Sequence, residues 1–226
     1  SDVCSSDLSN DDFIRTTEPR HIRSCQALWK AIAANKSPKG RDNIYLGKYA
    51  GWYAVRDEAF YDEGELIAGP NGRKIAPSGA EVEWVEEQSY FFRLSDWAEW
   101  LLEFYERNPA AVGPNSRRNE VASFVRQGLE DLSISRTTFG WGVPVPDAPG
   151  HIMYVWLDAL TNYITAVGYP ATDSDLFQTF WPADLHMVGK DIVRFHAVYW
   201  PAFLKAAGIE PPRDRKSTRL NSSHLG

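Results

Sequence analysis

Two short apolar runs, each followed by a helical pattern, mark the last third of the chain. Residues 152–156 and 185–188 are predicted to be buried strands, because each is a brief and mainly apolar stretch. Helices are predicted over 159–167 and over 192–207, the second with Pro201 inside it. This alternation of strands and helices is typical of an α/β fold with a parallel sheet covered on both faces.

A different pattern precedes this region. A helix is predicted within residues 9–35, because Pro19 suits a first helical turn and four apolar residues share one face: Ile22, Leu28, Trp29 and Ile32. Residues 81–92 are predicted to pair as a strand with residues 49–55, with a tight turn at 69–73 between them.

Two more helices are predicted in the middle of the chain. The first begins at Ser95, a favourable N-cap, and ends before Pro109, since the residue before a proline resists helical geometry. The second opens at Ser116 and covers 117–127. Residues 139–150 contain three prolines and three glycines, which predicts a connector.

The two ends of the chain are predicted to be foreign to the protein. Residues 1–8 and 214–220 can be encoded by nucleotide strings that are reverse complements of each other and resemble a sequencing adapter, and 221–224 continue that resemblance. Residues 1–8 and 214–226 are therefore left out of the fold prediction.

The remaining residues, 9–213, suffice for one large or two small domains. A hydrophobic content of 43% and nine Trp indicate a substantial core. No apolar run approaches the roughly 18 residues of a membrane span, and no signal peptide is visible. Cys25 is the only cysteine in this part, which excludes a disulfide framework and fits a cytoplasmic location. The net charge of −6 gives no sign of nucleic-acid binding.

Two groups of residues at the predicted strand ends could bind a ligand. Gly189 allows close backbone approach, and the Asp191 carboxylate can accept hydrogen bonds from ribose hydroxyls. An ordinary strand-to-helix turn would look the same. The second group is aromatic and consists of Trp156, Tyr163, His196 and Trp200. These rings would suit a thioether ligand, since sulfur packs well against aromatic rings. Packing in the protein core would also account for them.

The order and spacing of several segments are similar to those of bacterial methionyl-tRNA synthetases, which are class I aminoacyl-tRNA synthetases. Those segments are DFIRTT at 12–17, IYLGKYAGWY at 44–53, DEAFY at 57–61, SYFFRL at 89–94, RNEV at 118–121, DLSISR at 131–136 and the two strand–helix segments. The resemblance covers essentially all of 9–213. It implies a Rossmann-like nucleotide-binding fold with a partial parallel sheet, interrupted by an α+β connective insert.

The resemblance assigns roles residue by residue. The residues that match the family's methionine pocket are Trp156, Leu160, Tyr163, Ile192 and His196. Gly189 and Asp191 match its ribose contacts, and Arg136 matches an arginine implicated near the ATP phosphates. A guanidinium suits that role because it is always charged and binds phosphate oxygens in pairs.

The resemblance also implies a division of the chain and a reaction. Residues 9–43 would end the first half of the nucleotide-binding domain, 44–150 would be the insert, and 151–213 the second half. The parent would activate methionine with ATP and magnesium and transfer it to tRNA(Met). The family's paired histidines and its lysine–serine loop are absent from this chain, so little adenylation is expected from it alone.

Many family members hold a zinc ion in the insert through cysteines. Residues 44–150 here contain neither Cys nor His, so no protein-bound zinc is predicted and the tip around 69–79 should be a metal-free knuckle. His21 and His151 suggest no site. Two alternatives stay open: a related synthetase for leucine, isoleucine or valine, which the short insert disfavours, and a non-catalytic nucleotide- or methionine-binding module. The sequence indicates no oligomeric state.

Overall fold

The computed structural model describes residues 10–57, 59–137 and 140–212. The adapter-like tails predicted at 1–8 and 214–226 lie outside the described residues. The helices are α1 (Pro19–Ala34), α2 (Ala98–Arg107), α3 (Asn115–Arg126), α4 (Val155–Ala166), α5 (Asp175–Phe180) and α6 (Trp200–Ala206). The strands are β1 (Ile44–Ala54), β2 (Ala59–Tyr61), β3 (Ile67–Ala68), β4 (Lys74–Ile75), β5 (Glu83–Phe92), β6 (Leu132–Ser133), β7 (Ser135–Arg136) and β8 (Ile152–Met153).

The main sheet has four strands in the order β2-β1-β5-β6. Strands β1 and β5 pair antiparallel from Ile44 opposite Phe92 to Tyr53 opposite Glu83. The predicted strand pair is therefore confirmed, and it begins five residues earlier than predicted, at 44 rather than 49. The pairing extends that far because alternate side chains at the base of β5 face the core, where Phe92 is fully buried.

Strands β3 and β4 form a hairpin at the far end of β1 and β5. A 3₁₀ turn, Pro70–Gly72, joins them, and the Gly69 N–H donates to the carbonyl of Arg73 over 2.8 Å. Among the described residues of this region, Ala54, Ala76 and Ala80 form a small buried cluster. The tip predicted at 69–79 is thus a hairpin held by backbone hydrogen bonds.

The principal core lies between the helices. Helix α1 packs on α4 and α6, and α2 packs on α3. The α1 prediction is confirmed, with Pro19 in its first turn and Leu28 and Ile32 fully buried. Phe203 of α6 meets Phe92 edge-to-face with ring centroids 4.9 Å apart, which connects the helices to the base of the sheet.

The two strands predicted in the last third of the chain are largely wrong in detail. The first is only Ile152–Met153, and it pairs antiparallel with Ser135–Arg136. Helix α4 begins at Val155 because Leu157, Leu160 and Ile164 recur at helical spacing and are buried. Residues 185–188 form no strand in the structure. All strand pairs among the described residues are antiparallel. Within this segment Val188 alone takes part in a β-bridge, and a single bridge residue is too short to form the predicted strand.

Ser95 is not a helix cap. It lies within a 3₁₀ turn, Leu94–Trp97, and its hydroxyl donates to the Asp131 carboxylate over 2.6 Å. Helix α2 starts at Ala98 and ends at Arg107, where the sequence predicted its end. No helix among the described residues is both long enough and apolar enough to cross a bilayer.

Candidate functional site

One face of α4 carries three of the predicted pocket residues. Trp156, Leu160 and Tyr163 recur at four- and three-residue intervals, so they point the same way. Leu160 is buried in the core, while Trp156 and Tyr163 are half-buried. The helix therefore anchors the face through Leu160 and leaves both aromatic rings partly accessible.

The opposite wall comes from an irregular helical turn. A 3₁₀ turn, Lys190–Ile192, leads into a π turn, Phe195–Tyr199, and then into α6. Pro201 lacks an N–H and would clash with the carbonyl four residues earlier, that of Ala197. That carbonyl instead accepts the Tyr105 hydroxyl over 2.6 Å. The wider turn places His196 on the inner side of the helix, and such π turns are frequent at functional sites.

Tyr163 and His196 meet across the space between these two walls. The Tyr163 hydroxyl lies 2.7 Å from His196 Nε2, and His196 Nδ1 lies 2.9 Å from the Ile192 carbonyl. A carbonyl can only accept, so Nδ1 carries a proton and donates to it. In the neutral imidazole, Nε2 then accepts from the Tyr163 hydroxyl. The pair therefore places two hydrogen-bonded rings side by side between α4 and the π turn.

Further aromatic rings surround this pair. Trp156 stacks on Phe195 with centroids 3.6 Å apart, and His186 stacks on Tyr163 at 4.1 Å. Trp200, which is fully buried, lies 6.1 Å from Tyr163. Ile192, the remaining predicted pocket residue, contributes its carbonyl, while its side chain is exposed.

The predicted nucleotide contacts lie at the entrance to the same helical turn. Gly189 precedes the 3₁₀ turn in an extended conformation, and Asp191 is exposed and 2.5 Å from Lys190 Nζ. A cleft of about 340 Å³ lies beside them, between α3 and residues 190–195. Asp191 lines this cleft together with Arg117 and Phe124. Its carboxylate is therefore available to a ligand.

Arg136 lies in β7, directly opposite Ile152 of β8. The chain passes from β8 into α4 within two residues, so Arg136 is tied through the backbone to the helix that carries Trp156. Gly142 keeps the adjacent connector close to this strand pair, since its φ is +137° and a Cβ atom there would lie 2.3 Å from Ile152 Cγ2.

Comparisons with known proteins identify the family of this chain. The family model for tRNA synthetases class I (M) matches residues 1–220. The chain belongs to that family. The chain is 63% identical over 205 residues to the methionine–tRNA ligase of Mesorhizobium japonicum, and 61% identical over 206 residues to that of Rickettsia bellii. Each alignment covers 91% of this chain and 38% of the relative.

The solved structures give the same result. A crystal structure of Mycobacterium tuberculosis methionyl-tRNA synthetase bound by methionyl-adenylate superposes with a TM-score of 0.80 at 54% identity. It covers 93% of this chain and 41% of the other chain. The predicted family and the predicted α/β class I fold are confirmed. The chain spans about 38% of the length of the curated relatives that it matches.

A second group of polar residues in this synthetase-family chain lies between α1 and α4. His21 Nε2 is 2.7 Å from Asp158 Oδ1 and 3.2 Å from Cys25 Sγ, while His21 Nδ1 is 3.1 Å from the Thr165 hydroxyl. Burial, followed by the negative charge of Asp158, raises the pKa of the Cys25 thiol well above its ordinary value. Cys25 is therefore a neutral thiol in this state.

Sequence reasoning missed this group and treated His21 as isolated, which is wrong. Its members come from positions 137 residues apart in the chain, and only a shared helical face hinted at part of it, since His21 and Cys25 are four residues apart. His151 is not isolated either, because its Nδ1 lies 3.1 Å from the Ser135 hydroxyl. Phe195 and His186 also belong to the aromatic group around Tyr163 and were not predicted.

Proposed function

We propose that this chain forms the methionine-binding wall and part of the ATP-binding surface of a methionine–tRNA ligase. Its parent joins methionine to ATP as methionyl-adenylate and then transfers methionine to tRNA(Met) in the cytoplasm. The observation that carries the proposal is the Tyr163–His196 hydrogen bond inside a ring of aromatic side chains. Identity of 57–63% to proteins named methionine–tRNA ligase supports it.

The chemistry of the pocket suits a thioether. The Tyr163 hydroxyl and His196 Nε2 lie within hydrogen-bond distance of each other, so these two polar atoms already have a partner within the protein. Sulfur–aromatic contacts contribute roughly 0.3–1.5 kcal/mol each, and several rings are available. A charged amino-acid side chain would lose its hydration here without gaining a partner. The pocket therefore selects an uncharged, polarizable side chain such as that of methionine, with Trp156, Leu160 and Ile192 completing the assigned set.

The ATP contacts follow from groups at the edge of the same turn. A Cβ atom placed on Gly189 would have no neighbouring atom within 4 Å, so there is space beside this residue for a ribose. The Asp191 carboxylate would accept two ribose hydroxyls, and Arg136 would bind a phosphate. Magnesium would arrive with ATP, held mainly by phosphate oxygens and water.

A chimera tests this function in an intact enzyme. Residues 9–213 of this chain would replace the matching segment of the M. japonicum relative, and methionine-dependent ATP–pyrophosphate exchange would be measured. We expect exchange with methionine and little with leucine. Tyr163→Phe should raise the KM for methionine about tenfold, since a loss of about 1.4 kcal/mol corresponds to a factor of ten.

Tyr45→Phe is the matched control, because the Tyr45 hydroxyl binds Asp131 at 2.8 Å and belongs to a different part of the fold. It should leave the KM for methionine unchanged. A folded chimera that prefers leucine, or that shows no exchange while the intact relative is active, would contradict the proposal.

A further inference from the structure

The group between α1 and α4 has the composition of a metal site. A thiol, an imidazole nitrogen and a carboxylate oxygen, from Cys25, His21 and Asp158, lie within 4.8 Å of one another. His21 and Cys25 are fully buried, while 20% of the Asp158 side chain is exposed. The ligand atoms therefore converge in the interior, and one side of the site opens towards solvent.

The contacts do not form a catalytic triad. In such a triad the acid and the nucleophile bind opposite nitrogens of the imidazole. Here Asp158 Oδ1 and Cys25 Sγ both approach His21 Nε2, at 2.7 and 3.2 Å. Three potential ligand atoms, Cys25 Sγ, His21 Nε2 and Asp158 Oδ1, therefore converge on one point, as a cation site requires.

Hydrogen-bond directions strengthen this point. The Thr165 hydroxyl has one hydrogen and donates it to the Thr161 carbonyl over 3.0 Å. The Thr165 oxygen must then accept from His21 Nδ1, which lies 3.1 Å away. In the neutral ring, Nε2 is left with a lone pair that faces the Asp158 carboxylate. The Cys25 thiol can donate to this lone pair over 3.2 Å, but the 2.7 Å contact with the carboxylate becomes favourable only with a second proton on the ring or with a metal ion at the site.

We infer that His21, Cys25 and Asp158 bind a zinc ion that connects α1 to α4. Zinc accepts sulfur, nitrogen and oxygen ligands, whereas magnesium and calcium avoid thiolates. Zinc–ligand bonds of about 2.0–2.3 Å place tetrahedral ligands roughly 3.3–3.8 Å apart, so the observed separations need only small adjustments. Thr165 orients the imidazole from its other nitrogen, as outer-shell partners of metal-bound histidines do.

This site differs from the zinc site that many family members have in the connective insert, since none of its ligands lies within 44–150. Binding converts the Cys25 thiol to a thiolate and releases its proton to solvent, and no other bond changes. The ion would fix α1 against the helix that carries Trp156, Leu160 and Tyr163. The inference does not depend on the proposed function.

Cobalt titration of the full 226-residue chain tests the site. The chain has one other cysteine, Cys4, so the Cys4→Ser variant is the reference protein. Co²⁺ alone is added after chelator treatment, and visible and near-ultraviolet absorption is recorded. We expect one equivalent to give tetrahedral bands and a thiolate-to-cobalt charge-transfer band, both removed by an equivalent of Zn²⁺.

Variants decide between a metal and a second proton. Adding Cys25→Ser to the reference should abolish the charge-transfer band, and Asp158→Asn should weaken Co²⁺ binding at least about tenfold. Thr165→Val should weaken it about 10–100-fold while the band keeps its position, because Thr165 is not a ligand. Circular dichroism checks that each variant is folded. No thiolate band in the reference, or the same band in the Cys25→Ser protein, would overturn the inference in favour of the proton.

Discussion

The helical body and the sheet arm of this chain are stabilised in different ways. The body comprises α1–α4 and α6, and its large side chains, such as Trp200, Phe203 and Leu28, are fully buried. The arm comprises residues 44–92, and among its described residues beyond the base, Ala54, Ala76 and Ala80 form a small buried cluster. Exposed Trp84 and Val55 lie along it. Backbone pairing therefore maintains the arm, whereas burial of apolar area maintains the body.

The difference bears on function. The candidate pocket lies in the body, on α4 and the π turn, where rings are held by packing from several elements. The arm contributes none of the assigned pocket residues. A stable scaffold can keep an aromatic pocket in place, while an arm with a small core can tolerate local opening.

The largest effect is expected from truncating the body core. Phe203→Ala removes a fully buried ring that packs on Phe92 at 4.9 Å. We expect the free energy of unfolding to fall by about 3–5 kcal/mol, because both transfer energy and a cavity contribute. Urea denaturation followed by tryptophan fluorescence measures it. A loss below about 1 kcal/mol would show that the body is not packed as described.

A smaller effect is expected at the junction between body and arm. The Asp96 side chain is fully buried and accepts hydrogen bonds from Ser37 at 2.6 Å and from Arg41 Nε at 3.0 Å. Burial alone would raise the pKa of Asp96, but the hydrogen bonds from Arg41 and Ser37 outweigh it and lower the pKa below its ordinary value. Asp96→Ala should destabilise the chain by about 2–3 kcal/mol at neutral pH.

The pH dependence of this junction has a definite sign. A carboxyl whose pKa is lower in the folded state stabilises the protein above its unfolded pKa of about 3.9, and this contribution disappears as pH falls through the folded pKa. The difference in the free energy of unfolding between the unmodified chain and the Asp96→Asn variant should therefore be largest near neutral pH. It should shrink below about pH 4. Denaturation midpoints across that range measure it, and a gap that widens in acid would refute this account.

The arm and the helices could largely be predicted from the sequence, whereas the site could only partly be predicted. The tight turn between two strand-like segments and the helical spacing from Ile22 to Ile32 are local signals, and both elements formed. The Tyr163–His196 contact joins positions 33 residues apart, and the His21–Asp158 contact joins positions 137 apart. The family resemblance assigned Tyr163 and His196 to one pocket, whereas no local sequence pattern indicates that His21 contacts Asp158. The strand predicted at 185–188 depended on pairing partners, which periodicity does not reveal.

The smallest effect is expected within the arm itself. Trp84 is 54% exposed and meets Trp52 edge-to-face at 5.4 Å. Trp84→Ala should cost about 0.5–1.5 kcal/mol, the range for an aromatic pair. Because the arm has its own small core, the loss should be local: amides of β1 and β5 should exchange faster with deuterated water, while those of α4 and α6 keep their protection. Val55→Ala, an exposed arm position without a ring contact to lose, serves as the control. Equal loss of protection in α4 and α6 would mean that arm and body unfold as one unit. The two regions would then differ in how their side chains pack but share the same free energy of unfolding.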